Sequence, residues 1–294
     1  MKIPAGFTLG VATHTGRVRT HNEDDYLIGA LAEASPPLLF VAVADGMGGV
    51  AGGADASRLA LRALASAVLD GEATAVPAER CRSGCAAAAQ RIAEQAELAP
   101  ILRGMGTTLT GVVVQGTAAQ VVHVGDSRLY HWRRGVLTQV TTDHAVREPD
   151  NRLLRCVGGG SRTCVPDLHE LVLRPGDRLL LCSDGVWSVL PPPQLEGALV
   201  ANGAPQAAAE ALVAAALGLG GPDNATAVVV DVGTAAAGTV ACALPVGERP
   251  ERRRDWPPAL IRRAPWWPWA LLVAALLLAA ALLLHDGWRF GFGW

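Results

Sequence analysis

The chain has almost no net charge, no closely paired cysteines and no apolar leader, and each absence narrows what it can be. Lys and Arg number 25 against 27 Asp and Glu in 294 residues, a formal net charge of −2. Binding to nucleic acid calls for a pronounced basic surface. No basic arm, zinc-finger spacing or interleaving of aromatic and basic residues supplies one, so nucleic acid is not an expected partner. The six cysteines are Cys81, Cys85, Cys156, Cys164, Cys182 and Cys242, with no C-x-x-C pair and no Cys/His cluster of zinc-like spacing. Cys81 and Cys85 fall on one face of an expected helix. All six read as small buried side chains in a reducing compartment. Met1–Gly10 lacks a basic start and a long apolar core, so no secretory signal is expected and the bulk of the chain is assigned to the cytoplasm.

Charge itself is missing from one stretch. The composition changes near Val232: Gly233–Pro250, with Gly, Ala and Pro but no periodicity, reads as a linker, and the charged Glu251–Asp255 follows. Trp266–Leu284 then carries no charge at all. This run of about 19 residues matches the roughly 20 a helix needs to cross a bilayer. A buried globular helix is seldom apolar on every face for so long. Trp266, Trp267 and Trp269 at its start, with Trp288 and Trp294 beyond its end, fit interfacial aromatic belts. Arg249, Arg252, Arg253, Arg254, Arg262 and Arg263 precede the span, and only Arg289 follows it. By the positive-inside rule the N-terminal domain stays on the cytoplasmic side of the cell (inner) membrane, and the same arginines suit anionic headgroups. The expected organisation is a domain over 1–232, a linker with an Arg-rich juxtamembrane segment over 233–264, a lipid-contacting transmembrane helix over 265–284, and a short external tail over 285–294.

Within the first 232 residues, short apolar runs predict strands at Phe7–Ala12, Leu38–Ala44, Thr108–Val114, Gln120–Val124, Arg128–Trp132, Arg178–Cys182 and Ala225–Val232. Helices are predicted over Ala54–Leu69, Ala78–Leu98 and as a pair within Pro193–Leu217. Short turns at Gly125–Asp126 and Arg133–Gly135 favour hairpins over βαβ crossovers. The fold class is therefore α+β, with largely antiparallel sheets covered by helices and no internal repeat.

The informative residues are acids at strand ends. Leu38–Ala44 runs into Asp45-Gly46-Met47-Gly48-Gly49, and Leu179–Ser183 into Asp184-Gly185. Val121–Val124 leads to Gly125-Asp126-Ser127-Arg128, Pro222-Asp223-Asn224 precedes the last strand, and Arg19-Thr20-His21-Asn22-Glu23-Asp24-Asp25 stands near the start. Hard cations such as Mg²⁺ and Mn²⁺ take oxygen ligands from carboxylates, backbone carbonyls and water. Strand ends hold short Asp side chains rigidly, and a following Gly lets the backbone come close enough for its carbonyl to serve as well. Singly, an Asp-Gly after a strand is more often a turn, and Arg19 alone is more often a solvated surface residue. Turns do not need acids at so many separate strand ends.

Taken in order, these motifs, together with Gly16–Asp24, Gly104-Met105-Gly106-Thr107-Thr108, Thr142-Asp143-His144 and Ser183-Asp184-Gly185, resemble the metal-dependent serine/threonine protein phosphatases, the type 2C or PPM family, in its prokaryotic form. The resemblance runs from about Thr8 to Val232. It implies a four-layer αββα sandwich of two antiparallel sheets flanked by helices. It also implies two Mn²⁺ or Mg²⁺ ions bridged by Asp45, one completed by the Gly46 carbonyl and the other by Asp184 and Asp223. Asp24 would bind a metal or orient its waters, and Glu23 is a weaker candidate for the same role. Arg19 would hold the substrate phosphate. The implied reaction is hydrolysis of phosphoserine or phosphothreonine in proteins by metal-activated water, opposing a protein kinase; no C-x5-R signature points to a thiolate nucleophile instead.

Some positions depart from the family pattern. Met47 stands where some members carry a His proposed as general acid, although Met is common there in prokaryotic members, and Val50 replaces a His in the Gly-rich loop. Ser188 stands where many relatives place an Asp that helps hold a third metal, leaving Asp126 as the weaker remaining candidate there. His144 suits a structural hydrogen bond at least as well as catalysis, and His21 and His123 read as structural or surface residues. Two other readings are a non-catalytic phosphoprotein-binding scaffold of the same fold and a phosphatase for a small phosphorylated molecule. Retention of Asp24, Asp45, Asp184 and Asp223 weighs against the first.

Overall fold

Leu38–Met47 is apolar almost throughout because both of its faces are covered. In the computed structural model, which describes residues 2–48, 52–71, 75–146, 152–201 and 203–233, Leu39, Val41 and Val43 face a second sheet while Leu38, Phe40, Ala42 and Ala44 face helices. A period of two thus sends alternate side chains into different cores. Gly49, Val50 and Cys242, together with the linker after Gly233, the arginine flank and the Trp266–Leu284 span, lie outside the described residues. Among the described residues no helix is long and apolar enough to cross a membrane.

In chain order the elements are β1 (Phe7–His14), β2 (Asp24–Leu31), β3 (Leu38–Met47), α1 (Gly53–Leu69), α2 (Pro77–Leu98), β4 (Gly106–Thr107), β5 (Leu109–Gln115), β6 (Ala118–Val124), β7 (Arg128–Arg133), β8 (Val136–Gln139), β9 (Ala145–Val146), β10 (Arg152–Leu153), β11 (Val157–Gly158), β12 (Asp167–Val172), β13 (Arg178–Cys182), α3 (Asp184–Trp187), α4 (Pro192–Ala201), α5 (Pro205–Gly218) and β14 (Ala225–Val232). One sheet has the order β1-β14-β13-β7-β8. The larger one runs β11-β4-β3-β5-β6-β12, with β2 on the free side of β3, and β9 pairs with β10 apart from both. All the pairings are antiparallel.

Three apolar layers hold these pieces together. Between the sheets lie Leu9, Val11, Val41, Val112, Val121, Leu179, Leu181, Val228 and Val230. Outside one sheet, Phe40, Ala42 and Val122 meet Leu61, Leu64, Ala88 and Ile92 of α1 and α2. Outside the other, Leu180, Cys182 and Val229 meet Leu199, Leu212 and Val213 of α4 and α5. The expected αββα layering is present, and all the strands and helices expected within residues 1–232 form.

Besides the two-residue strands β4, β9, β10 and β11, three longer strands escape the apolar-run criterion. β2, β8 and β12 are edge strands, half-exposed along much of their length, with mixed sequences such as Asp-Leu-His-Glu-Leu-Val. One of the expected hairpins is also not one. The Arg133–Gly135 turn does join β7 to β8, with positive φ at Arg134 (52°) and Gly135 (83°), as a tight primed turn requires. The Gly125–Asp126 turn instead carries the chain from β6 in one sheet to β7 in the other. This crossing sets Asp126 at the rim between the sheets.

Candidate metal centre and active site

The acids gather because the strand ends that carry them share that rim. Asp24 opens β2 and lies directly across from Asp45 near the end of β3. From the other sheet, Asp184 follows β13 and Asp223 precedes its neighbour β14. Like charges directly opposite on paired strands are destabilising, so the Asp24–Asp45 pairing costs stability unless something compensates. Arg19, Glu23, Asp45, Gly46, Asp126, Asp184 and Asp223 line one cleft of about 420 Å³, together with Thr20, His21, Met47, Gly48, Thr108, Leu153 and Asn224. Asp24 lies buried beneath.

Burial and mutual repulsion dominate the electrostatics. Burial, then Asp24, Asp184, Asp126 and Asp223, push Asp45 well above the usual carboxylate range. Asp24 is raised to about 7, by burial first and then by Asp184 and Asp223, with the Ser183 hydroxyl pulling the other way. Asp126 also rises to about 7, through burial, Asp184 and Asp143. Asp184 is raised by burial and Asp223. Asp24 Oδ1 and Asp184 Oδ1 are buried without a hydrogen-bond partner. Unpaired buried carboxylates are costly, and a divalent cation is the species that would both accept those lone pairs and cancel the repulsion. The residues fit a hard metal.

Among the described residues, no three His, Cys, Asp or Glu side chains already converge on a single ion position. Asp223 is turned toward Arg19, whose Nη2 donates to Asp223 Oδ2 at 2.8 Å. The Glu23 carboxyl is raised mainly by burial and accepts a hydrogen bond from the Gly53 backbone at the start of α1. Ser188, the residue after α3, is exposed and donates its N–H to the Asp184 carbonyl.

The two glycines after the catalytic-type aspartates are required by close packing. A Cβ on Gly46 would lie 2.1 Å from the Gly53 carbonyl oxygen and 2.9 Å from that of Glu23. One on Gly185 would lie 1.9 Å from the Asn224 carbonyl oxygen. Backbone approach, rather than positive φ, is what selects Gly at both positions.

Several positioning residues carry no acid, and nothing in their spacing marks their role. Thr108 Oγ1 accepts the Asp45 N–H at 2.9 Å, Thr108 N–H donates to the Asp45 carbonyl at 2.9 Å, and Thr107 Oγ1 donates to the same carbonyl at 2.9 Å. The Gly-Thr-Thr motif thus clamps the Asp45 backbone. Ser183 Oγ donates to Asp24 Oδ2 at 2.6 Å across the two sheets. Asn224 Oδ1 accepts the Glu23 N–H at 2.8 Å, while its Nδ2 donates to the Thr15 and His21 carbonyls at 2.7 and 2.9 Å. Arg128 forks onto Asp143 with two bonds of 2.9 Å and lies 3.5 Å over the Trp187 ring, whose Nε1 donates to the Asp126 carbonyl at 2.9 Å. His144 is structural, as its motif allowed: Nδ1 accepts the Gly125 N–H at 3.1 Å and Nε2 faces Asp167 Oδ2 at 2.9 Å. His123 is fully buried between Thr110 and the Thr142 carbonyl.

A buried carboxylate cluster beside an arginine, at the common rim of two sheets, defines a site for hard cations and an anionic group. Residues 13–216 match the family model for protein phosphatase 2C, and the chain belongs to that family. It is 39% identical over 238 residues to the serine/threonine protein phosphatase PstP of Mycobacterium tuberculosis, covering 74% of this chain and 43% of that protein. The chain therefore spans less than half the length of that relative. It is 32% identical over 240 residues to the serine/threonine phosphatase stp of Listeria monocytogenes, covering 74% of this chain and 93% of that one. Among solved structures, the PstP catalytic domain in complex with two manganese ions superposes with a TM-score of 0.68 at 35% identity, over 77% of this chain and 98% of that one. PppA of Pseudomonas aeruginosa superposes at 0.67 with 32% identity, over 78% and 99%.

Proposed function

We propose that the domain over 1–232 hydrolyses phosphoserine and phosphothreonine in proteins with Mn²⁺ or Mg²⁺, opposing a protein kinase at the cytoplasmic face of a membrane. The observation that carries this reading is the convergence of Asp24, Asp45, Asp126, Asp184 and Asp223 from both sheets beside Arg19, with two buried carboxylate oxygens unpartnered. Family membership and the manganese complex of the PstP relative support it.

Asp45, the Gly46 carbonyl, Asp184 and Asp223 would hold two ions, and Asp24 would ligate or orient from beneath. Glu23 and Asp126 are the weaker ligands. Bound ions of this kind lower the pKa of water to make a nucleophile and neutralise phosphoryl oxygens. For Asp223 to turn inward, Arg19 must release it, which frees a guanidinium fork to grip a phosphate. Met47 cannot donate a proton to the departing hydroxyl. Ser188, exposed just after α3, adds no carboxylate beside Asp126, so a third ion there would be held weakly.

The membrane attachment rests on Trp266–Leu284, supported by its lack of charge and by its one-sided arginine flank. The first test is catalytic. The purified protein should hydrolyse phosphothreonine peptides with added Mn²⁺ or Mg²⁺, lose that activity to a chelator, and lose orders of magnitude in Asp45→Asn. Full activity in excess chelator would end the metal-dependent reading, and phosphopeptide binding without turnover would favour a scaffold.

A further inference from the structure

Asp126 lines the cleft, and each residue of the Gly125-Asp126-Ser127 turn is fixed by a different part of the fold. His144 meets Gly125 twice: its Nδ1 accepts the Gly125 N–H at 3.1 Å, and its own N–H donates to the Gly125 carbonyl at 2.7 Å. The Asp126 carbonyl accepts Trp187 Nε1 at 2.9 Å. Ser127 Oγ shares a hydrogen bond of 2.7 Å with Thr108 Oγ1, and its carbonyl accepts Thr110 Oγ1 at 2.9 Å. Gly125 has a φ of 107°, and a Cβ there would lie 2.6 Å from Thr108 Cγ2. Thr108 Oγ1 also accepts the Asp45 N–H, so Asp126 and Asp45 are referenced to one side chain.

A second tier of groups fixes His144. Because Nδ1 accepts from the Gly125 backbone, the neutral ring carries its proton on Nε2, which faces Asp167 Oδ2 at 2.9 Å. Arg155 Nη1, 2.9 Å from the same Nε2, donates to Asp167 Oδ1 at 2.8 Å, and Arg155 also donates to the Val165 carbonyl. The Leu154 N–H donates to the His144 carbonyl at 2.8 Å. A carboxylate behind an imidazole sets its tautomer and its orientation. On the other side, Trp187 is held by Arg128, which lies 3.5 Å over its ring and forks onto Asp143. Neither His144 nor Trp187 lines the cleft, so each reaches it through the turn.

We propose that His144 is a positioning residue for a cation at Asp126: with Asp167 and Arg155 behind it and Trp187 opposite, it holds the turn so that the Asp126 carboxyl meets a third Mn²⁺ or Mg²⁺ ion. This role rests on the metal-dependent reading of the cleft. Affinity for hard cations follows the charge count of the ligands and the rigidity of the site. Charge count is low here, so rigidity decides. A turn already fixed at three successive residues leaves only the short Asp126 side chain to order when an ion binds. Rigid backbone thus offsets part of what the lack of a carboxylate at Ser188 costs.

Manganese binding, read apart from turnover, tests the role. The full chain in detergent is titrated with Mn²⁺, and the free ion is followed by electron paramagnetic resonance. Wild type should bind two ions tightly and a third in a weaker phase. Asn and Gln separate the two ring nitrogens, because Asn carries its amide where Nδ1 lies and Gln where Nε2 lies. His144→Asn keeps an acceptor for the Gly125 N–H and should leave the weak phase within about twofold of wild type. His144→Gln loses that acceptor and should weaken the phase about tenfold, with the tight phase unchanged. Trp187→Phe keeps a ring beneath Arg128 but not the donor to the Asp126 carbonyl. It should weaken the same phase alone, and it remains decisive if the His144 variants do not fold. Melting temperatures are measured alongside, and the difference between Asn and Gln should not follow them. A weak phase identical in all variants, absent from wild type, or lost alike in Asn and Gln would overturn the role while leaving the two-ion reading intact. No binding of Mn²⁺ at all would end that reading as well.

Discussion

Ser183 is the residue on which the burial of Asp24 turns. Its hydroxyl holds Asp24 Oδ2 at 2.6 Å and accepts the Thr226 N–H at 3.0 Å, so one side chain binds the two sheets where the acids meet. A hydrogen bond to a charged group contributes about 1.5–3 kcal/mol. Ser183→Ala should therefore raise the Mn²⁺ concentration for half-maximal phosphopeptide hydrolysis by about tenfold or more. A superimposable Mn²⁺ titration would show that Asp24 does not serve the metal.

His123 supplies a pH dependence of a different kind. Burial, then the neighbouring His144, lower it to about 4 from an ordinary value near 6.5. Between those values the unfolded chain takes up a proton that the folded chain refuses, so stability falls as pH drops from about 6.5 to about 4. The raised carboxyls Asp24 and Asp126 act in the opposite sense over an overlapping range. Subtracting the curve of His123→Gln isolates the histidine. Urea unfolding of wild type and variant across this range should show the wild type losing more stability, by on the order of 2–3 kcal/mol; parallel curves would refute it.

Among the elements, the loop between β1 and β2 is the one that sequence pattern describes least. It has no periodicity, yet it is tied down at several points. Asn224 accepts one hydrogen bond from it and donates two to its carbonyls, Arg17 N–H donates to the Gly221 carbonyl at 2.8 Å, and Ser57 Oγ donates to the Glu23 carbonyl at 2.8 Å. The short segment ahead of β14 thus fixes the loop that carries Arg19. Asn224→Ala should lower stability by about 1–3 kcal/mol and raise KM for phosphopeptides more than it lowers kcat. Asn224→Asp should fare no better, because a carboxylate cannot donate to the Thr15 and His21 carbonyls. An unchanged KM in both variants would detach the loop from substrate binding.

At the scale of the molecule, two sheets back to back give a cleft at one end and helices over both outer faces. Among the described residues, no acid of the cleft comes from beyond 223. Deleting residues 249–294 should therefore release a soluble enzyme with turnover on peptides within about twofold of the full chain, if the anchor and domain act independently. The full chain should resist extraction by salt and require detergent. A reporter fused after Trp294 should be active outside the cytoplasm and one placed before Glu251 inside it. Release by salt alone would contradict the anchor.

The sequence by itself determined the central strands, the helices and the identity of the acids. β3, β5, β13 and β14 are apolar on both faces because both are buried, and Asp-Gly after such strands is visible without coordinates. The edge strands β2, β8 and β12 stayed hidden because half-exposed strands mix polar and apolar residues without a clean period. That the turn at Gly125–Asp126 passes between sheets, rather than closing a hairpin, could not be read locally. Turn residues report the chain's bend, not the partner strand it meets next. The same holds for Ser183, Thr108 and Asn224, whose roles arise from contacts between residues 159, 63 and 201 positions apart. Such contacts leave no periodic trace along the chain, and only the packing of one sheet on the other decided them.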